Sequence, residues 1–433
     1  MQTKIELLKV LTPENIGTGE GPLQYNLSSS SDNYQAHRLN IKQEPQIWDE
    51  FIASEPGSAD EQRFARELSD IFIGATSLQL LSSLKSNEDK VAISNWLTQQ
   101  SIERYGIQDF SDTIETLEAD TPFVLASDAQ SDARRWYRTL GISLDAQKIK
   151  HEILTVPEGV RSYFTNSFGF LLGRIDPAKL YSAQDIVGEI GPQFLKALEE
   201  QDSRWASWKV VAIPGGNMSV SSEDKELRVG NDRASSLGDE LEASLFHELV
   251  VHALRSINGE SLGDYDAQYG IAGYPDFEEG LGCYVEYVIT GKVPAKIANR
   301  QIAASMALGQ LGDGITFDRN EIYDFLRTRT RLLLSAEGVT DLATLNAKEQ
   351  ELRTLIIDRF FRGGRGIRPL NAVFTKDTMY ARGFIQAKHY IDTALKKGMS
   401  AESIFTFLLS AKFDPNDKCH IDKLSRLGII LGE

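Results

Sequence analysis

Cysteine is nearly absent: Cys283 and Cys419 are the only two in 433 residues. Two thiols exclude a disulfide framework and a cysteine-rich zinc module, so any metal must rely mainly on imidazole and carboxylate. Long apolar runs are also missing, and no stretch approaches the ~20 apolar residues a membrane-spanning helix needs. The opening residues Met1-Gln2-Thr3-Lys4-Ile5-Glu6-Leu7-Leu8-Lys9 put charges where a signal peptide needs an apolar core. The expectation is a cytoplasmic protein without a membrane partner. Positive charge is in deficit, with 46 Lys and Arg against 62 Asp and Glu, a net charge of −16. That balance argues against nucleic acid as the main partner, because phosphate binding needs clustered cations. One stretch departs from it: Arg353 to Lys388 carries eight basic residues against two acidic ones. It reads either as a solvated basic face or as a local anion-binding wall.

What is present suits a folded globular chain, since 41% of residues are hydrophobic and 25% charged. Residues 1 to 40 carry Gly17-Thr18-Gly19 and Ser28-Ser29-Ser30-Ser31 and read as an arm. Residues 60 to 120 read as helical, with Phe64, Leu68, Ile71, Phe72, Ala75, Leu78, Leu81 and Leu84 at helical spacing. Further helices are expected over 128–140, capped by Ser127, and over 182–200. Trp208 to Ile213 is β-prone, and Met218–Val220 and Glu226–Val229 read as two strands around a turn. From Asp232 onward the pattern is mostly helical. The expected fold class is α+β, mainly α: a helical N-terminal region, 1–150, and a second domain, 151–433, with a small sheet.

The strongest chemical signal is Phe246-His247-Glu248-Leu249-Val250-Val251-His252. Two histidines bracket a glutamate as HExxxH, one residue longer than HExxH. On a regular helix positions i and i+5 diverge by about 140°. For both imidazoles to reach one metal the helix must widen, for example through a π-bulge. Glu248 is then the general base toward an attacking water, and zinc suits the donor set. The plain alternative is a chance spacing on an ordinary helix. Residues 238–257 read as one helix, with Asn258-Gly259 as its stop. His37, His151, His389 and His420 are scattered and read as surface or packing residues.

The third ligand stays open on the residues alone. Arg255 and Asn258 stand where a metzincin needs Gly and His. Asp266, in Gly263-Asp264-Tyr265-Asp266-Ala267-Gln268-Tyr269-Gly270, is similar to an aspzincin signature. Glu279, in Phe277-Glu278-Glu279-Gly280-Leu281-Gly282, is placed as gluzincins place a ligand on a following helix.

Three blocks resemble the tyrosine carboxypeptidase family, which includes microtubule-associated tyrosine carboxypeptidases and bacterial proteins with a Gln-Glu-Gly-Leu-Ala motif. They are His247 to Gly259; Gly270-Ile271-Ala272-Gly273-Tyr274 with Glu278 to Gly282; and Phe361-Arg362-Gly363 with Phe374 to Gly383, within residues 150–400. The resemblance implies a zincin-like, gluzincin-type domain over 151–433 with His247, His252 and Glu279 on zinc and Glu248 as base. It makes the Asp266 stretch a loop. Glu278 stands where Gln is usual and Gly282 where Ala is usual, and neither departure removes a catalytic group.

The implied reaction removes a residue near a peptide or protein C-terminus, tyrosine or a similar one. A terminal carboxylate calls for a cation, and Arg362, Lys376 and Arg382 are candidates. Tyr380 is a candidate donor to the tetrahedral intermediate, and Asp377 reads as a structural partner. Acidic tubulin tails would be repelled by this chain unless the 353–388 stretch faces the cleft. An endopeptidase and a non-catalytic zinc-bearing binding protein are the rival readings.

Overall fold

The computed structural model describes residues 155–430, apart from 272, 311–314, 337, 340, 355–372 and 374, together with residues 95, 98, 99, 101 and 102. The helices expected over 60–120 (but for those five positions) and 128–140, and the boundary at 150/151, lie outside the described residues. The chain divides into two compact units, one of residues 1–107, 303–324 and 353–377, the other of 108–302, 325–352 and 378–433. In the first, Thr375 N–H donates to the Ser101 hydroxyl at 2.8 Å and Val373 N–H to Thr98 Oγ1 at 3.1 Å.

The second unit holds the HExxxH segment and the Glu278 to Gly282 block. Its first helix, α1 (Glu158–Phe168), buries Val160, Phe164 and Phe168, a stripe one turn apart. Next, Ser182 and Asp185 exchange side-chain and backbone hydrogen bonds in a capping box that starts α2 (Ala183–Asp185). The helix runs on through a π turn, Ile186–Ile190, into α3 (Gly191–Gln201), so the expected 182–200 helix is present with a widened middle.

Two small sheets follow. Strands β1 (Leu180–Tyr181) and β5 (Ser236–Leu237) pair antiparallel. The other sheet has the order β2-β4-β3, with β2 (Lys209–Ile213) parallel and β3 (Met218–Ser221) antiparallel to β4 (Glu226–Gly230). The strand expectations hold to within a residue at each end. Because β4 is central, both its edges are used, and among the described residues β3 pairs with β4 alone.

From Gly238 the backbone is helical without a break to Ser261: α4 (Gly238–Leu245), a π segment (Phe246–Ala253) and α5 (Leu254–Ser261). Asn258-Gly259 therefore does not stop the helix. Asn258 instead donates its amide to the Leu409 carbonyl at 2.8 Å. At Gly259 a Cβ would lie 2.1 Å from the Ala267 carbonyl oxygen. The glycine serves a close backbone approach rather than a helix end.

The stretch around Asp266 is also different from expectation. It forms a one-turn helix, α6 (Tyr265–Tyr269), because the Asp264 side chain caps it by accepting from Ala267 N–H. Beyond it come α7 (Pro275–Thr290), which ends at Gly291 with φ 71°, α8 (Ala295–Ala307), α9 (Arg319–Ala336), α10 (Leu342–Thr354), α11 (Met379–Lys396), α12 (Ala401–Leu408) and α13 (Lys418–Arg426). The described residues are thus mainly helical with a small amount of sheet, and no helix among them is long and apolar enough to cross a membrane.

Helices α7 and α11 meet at two glycines. A Cβ on Gly280 would lie 1.9 Å from the Gly383 carbonyl carbon, and one on Gly383 would lie 1.9 Å from the Asp276 carbonyl oxygen. Further along, Tyr284 and Tyr287 of α7 pack on Phe384 of α11, and Phe405 of α12 joins the cluster beside Phe164.

Candidate metal centre

The π segment Phe246–Ala253 is apolar on nearly every side: Phe246, Leu249, Val250, Val251 and Ala253 are all fully buried. Its backbone hydrogen bonds reach one residue further than those of an α-helix, so i and i+5 stack on one face. His247 and His252 are that pair. Their Nε2 atoms are 3.0 Å apart and their rings 4.7 Å apart at 63°. The widening required by the HExxxH spacing is present where it is required.

Helix α7 packs against this segment and supplies three carboxylates. His247 Nδ1 is 2.7 Å from Glu286 Oε1, and His252 Nδ1 is 2.9 Å from Glu278 Oε1. With a carboxylate accepting the Nδ1–H of each ring, the imidazoles in the neutral form that binds a metal would present their Nε2 lone pairs. Those lone pairs face each other, and Glu279 Oε2 joins them at 3.4 Å from His247 Nε2 and 3.9 Å from His252 Nε2. Three acceptors at such separations repel one another unless a cation lies among them. Bonds of about 2.1 Å in a tetrahedral zinc site put ligand atoms about 3.4 Å apart, which fits the separations seen here. A His, a His and a Glu thus form a donor set suited to zinc.

Support for the set is built deep into the unit. Lys296 Nζ of α8 lies 2.5 Å from Glu286 Oε1. Arg255, fully buried, pairs with Glu278 and donates to the carbonyls of Ala411 at 2.6 Å and Phe413 at 2.7 Å. Lys412 Nζ is 3.4 Å from Glu278 Oε1. The departure from Gln at 278 is accounted for by these cations, since a carboxylate serves both His252 and Arg255. The departure from Ala at 282 also has a counterpart: a Cβ on Gly282 would lie 2.5 Å from the His247 ring.

The electrostatics follow the contacts. Burial pushes Glu279 upward, but a hydrogen bond with His247 and the charges of His252, His247 and Arg300 outweigh it and hold the carboxyl well below its usual range. Glu278 is held down to about 2, burial being overcome mainly by Arg255 and Lys412. Glu286 is also held at about 2, chiefly by Lys296 and His247 against burial. His247 is pushed well up: burial disfavours its charge, but hydrogen bonds with Cys283, Glu279 and Glu286 prevail. Glu248 moves the other way from the ligand carboxylates. Burial raises it more than His252 and His247 lower it. Its donor oxygen lies with those of His247 and His252 inside a cluster 4.8 Å across.

The remaining candidates are dispersed. Asp266 Oδ2 is 2.5 Å from Lys423 Nζ, which also lies 3.3 Å from Asp264 Oδ1. Arg382 Nε lies 2.8 Å from Asp276 Oδ2, one turn before Glu279 on α7. Tyr380, in the first turn of α11, lies under the Arg300 guanidinium at 3.6 Å. Lys376 opens a 3₁₀ turn, Lys376–Thr378, in which Asp377 is buried. Arg362 is outside the described residues. His389 is exposed, and His420 is buried with its Nδ1 accepting from Asp414 N–H at 2.9 Å, in line with surface and packing roles.

Sequence reasoning missed Arg255, Glu286, Lys296 and Arg300. Three had a readable signal: Glu286 falls seven residues after Glu279 on the same helix, and Lys296 and Arg300 fall four apart on the next.

A family model described as microtubule-associated tyrosine carboxypeptidase matches residues 216–432, half of the chain. The matched range starts at the loop before β3, takes in the π segment, α7 and α11, and runs past the 150–400 range of the quoted motifs. No curated protein and no solved structure matches the chain.

Proposed function

The chain belongs to the microtubule-associated tyrosine carboxypeptidase family, and we propose that it is a zinc-dependent carboxypeptidase with a zincin-like catalytic domain within residues 151–433. The observation that carries the reading is the convergence of three acceptors, His247 Nε2, His252 Nε2 and Glu279 Oε2, within 3.0 to 3.9 Å of one another. These three side chains would hold the metal, and Glu286 and Glu278 would fix the tautomers that aim them.

Zinc in such a site supplies Lewis acidity, polarising a carbonyl and acidifying water. Glu248 takes the proton of the attacking water and delivers it to the leaving amine. Its raised proton affinity keeps it able to accept and then release that proton. Strand β3 packs against the π segment and among the described residues pairs on one edge only, so an extended peptide can pair with its other edge. Tyr380 is the phenol proposed to donate to the oxygen that gains charge in the transition state. The substrate is a peptide or protein with a free C-terminus, and the residue released is tyrosine or one like it.

The test is metal content of the full chain, wild type beside Glu279→Ala and Asp266→Ala. One zinc per chain, lost in Glu279→Ala and kept in Asp266→Ala, is the expected result. Loss in Asp266→Ala alone would move the third ligand to the aspzincin position. A wild type without zinc would remove the peptidase reading in favour of a binding protein. Peptides with free and blocked C-termini then separate a carboxypeptidase from an endopeptidase.

A further inference from the structure

The two histidines of the centre are oriented by carboxylates that are themselves held in different ways. Glu278 is gripped on both oxygens. Its Oε1 lies 2.9 Å from His252 Nδ1 and 3.4 Å from Lys412 Nζ, and its Oε2 pairs with Arg255. Both of those cations are buried. Glu286 is buried too, but one oxygen carries both of its charge contacts. Its Oε1 lies 2.7 Å from His247 Nδ1 and 2.5 Å from Lys296 Nζ. The side chain of that lysine is 26% exposed.

The place of Lys296 follows from a tight reversal. Helix α7 ends at Gly291, which takes φ 71°, and α8 starts at Ala295. Thr290 braces the turn: its Oγ1 accepts from Lys292 N–H at 3.2 Å and lies 2.9 Å from the Glu286 carbonyl oxygen. The second residue of α8 is thereby returned alongside Glu286, little more than one turn before the reversal. A glutamate that meets an imidazole through one oxygen can still turn about its terminal torsion, which has no sharp minimum. A second donor on the same oxygen, brought by another helix, fixes that oxygen in space. Lys296 stands behind His247 Nδ1 by two hydrogen-bond lengths, about 5 Å at most. That is the side of the ring away from Nε2, so any influence on a metal passes through Glu286.

We propose that Lys296 is a positioning residue for the metal centre: by holding Glu286 Oε1 in place it fixes the His247 ring and the Nε2 that would meet zinc. This rests on the zinc reading above. The rival role is a plain tie of α8 to α7, of the kind Lys423 makes between α13 and the Asp264 and Asp266 carboxylates.

The test uses the full chain loaded with Co(II) in place of zinc, observed by proton NMR in water. Each histidine bound through Nε2 gives one Nδ1–H resonance shifted far outside the diamagnetic range, so the wild type should show two. Lys296→Met is expected to move one of them and to speed its exchange with solvent about tenfold, because the protecting hydrogen bond opens more often. The other, protected by Glu278, should stay in place. The zinc dissociation constant, from chelator competition, should rise about 10- to 100-fold, the usual effect of removing a partner behind a ligand. Lys296→Arg returns a cation to Glu286 and should restore both readings. Lys423→Met should lower the urea midpoint with both resonances and zinc affinity unchanged. If Lys296→Met does not fold, Lys296→Gln carries the test, with a smaller displacement of the same resonance expected.

The proposal alone is overturned if neither resonance moves, if both move equally, if zinc affinity is unchanged, or if Lys423→Met gives the same response. A wild type that takes up no cobalt, or lacks the pair of Nδ1–H resonances, removes the zinc reading and this assignment with it.

Discussion

Glu248 and Glu278 differ in what their replacement removes. Glu248 bears the proton-transfer role, so Glu248→Gln should retain zinc and lose turnover by about 10²–10⁴-fold, the usual worth of a general base. Steady-state rates on a tyrosine-terminated peptide, with metal content in parallel, check this; a variant cleaving at the wild-type rate would sink the assignment. Glu278 bears on both His252 and the buried Arg255. Truncation to Ala leaves that guanidinium without its carboxylate, a loss of about 3–5 kcal/mol. It should also weaken zinc binding about 10- to 100-fold, as removal of a group orienting a ligand does. Glu278→Gln keeps an acceptor for His252 Nδ1 and should recover most of the zinc affinity but less of the stability. Urea denaturation and chelator competition measure the two effects separately.

At this scale the centre was half legible. The two histidines and Glu248 sit in one continuous helix and Glu279 in the first turns of α7, 27 residues after His252, where spacing carries the information. Arg255 depends on carbonyls at Ala411 and Phe413, some 156 to 158 residues away. No local pattern encodes that contact. Arg300 likewise gains meaning only when α11 brings Tyr380 beneath it.

Among the elements, the crossing of α7 and α11 gives a sharp expectation. Gly383→Ala must push apart two backbones that touch, and should cost about 3 kcal/mol, the upper end for overpacking. Gly159, near the start of α1 with nothing within 4 Å of a Cβ, is the control. Gly159→Ala should be neutral or stabilising by about 0.5–1 kcal/mol. Urea midpoints for the two variants decide it.

A second expectation concerns α9 and α10, joined where Glu349 Oε1 lies 2.9 Å from both Arg327 Nε and Arg331 Nε. Burial raises this carboxyl, but the two arginines outweigh it and its net shift is downward. A depressed folded value means the stabilisation is present above the unfolded pKa and lost as pH falls through the folded one. The arginines are well exposed, so solvent screening limits the pair to below about 1 kcal/mol. Glu349→Gln should therefore lower the urea midpoint slightly at pH 7, and the gap should close in acid.

The elements themselves were readable where their cause is local. The β3–β4 hairpin and the 238–261 helix follow from alternation and from apolar spacing. The helix end did not, because Gly259 answers to the approach of Ala267 and not to a cap. The short α6 was hidden for a similar reason: its only signal is the Asp264 cap, set in a segment otherwise read as loop.

For the whole molecule, metal removal is the broadest test. The candidate ligands come from the π segment and from α7, so a bound ion ties two elements of one unit and should stabilise the folded chain by mass action. Chelation is expected to lower Tm, and added zinc to restore it, with the Glu279→Ala chain indifferent to both. An unchanged Tm on chelation of a zinc-containing wild type would mean that the metal lies elsewhere. The charge of −16 was legible from composition alone, whereas the division into two units, each assembled from three separate stretches, was not. Contact between distant stretches has no signature in a single sequence without repeats.

The grip of Arg255 on the Ala411 and Phe413 carbonyls sets an order of events during synthesis. A growing chain that has already emitted both histidines and all three carboxylates of α7 still lacks the partners of its buried guanidinium. Those arrive only 156 to 158 residues after Arg255 itself. Glu278 meets its full set of cationic and histidine partners only once they do, so loading of the proposed metal should follow the emergence of that later stretch.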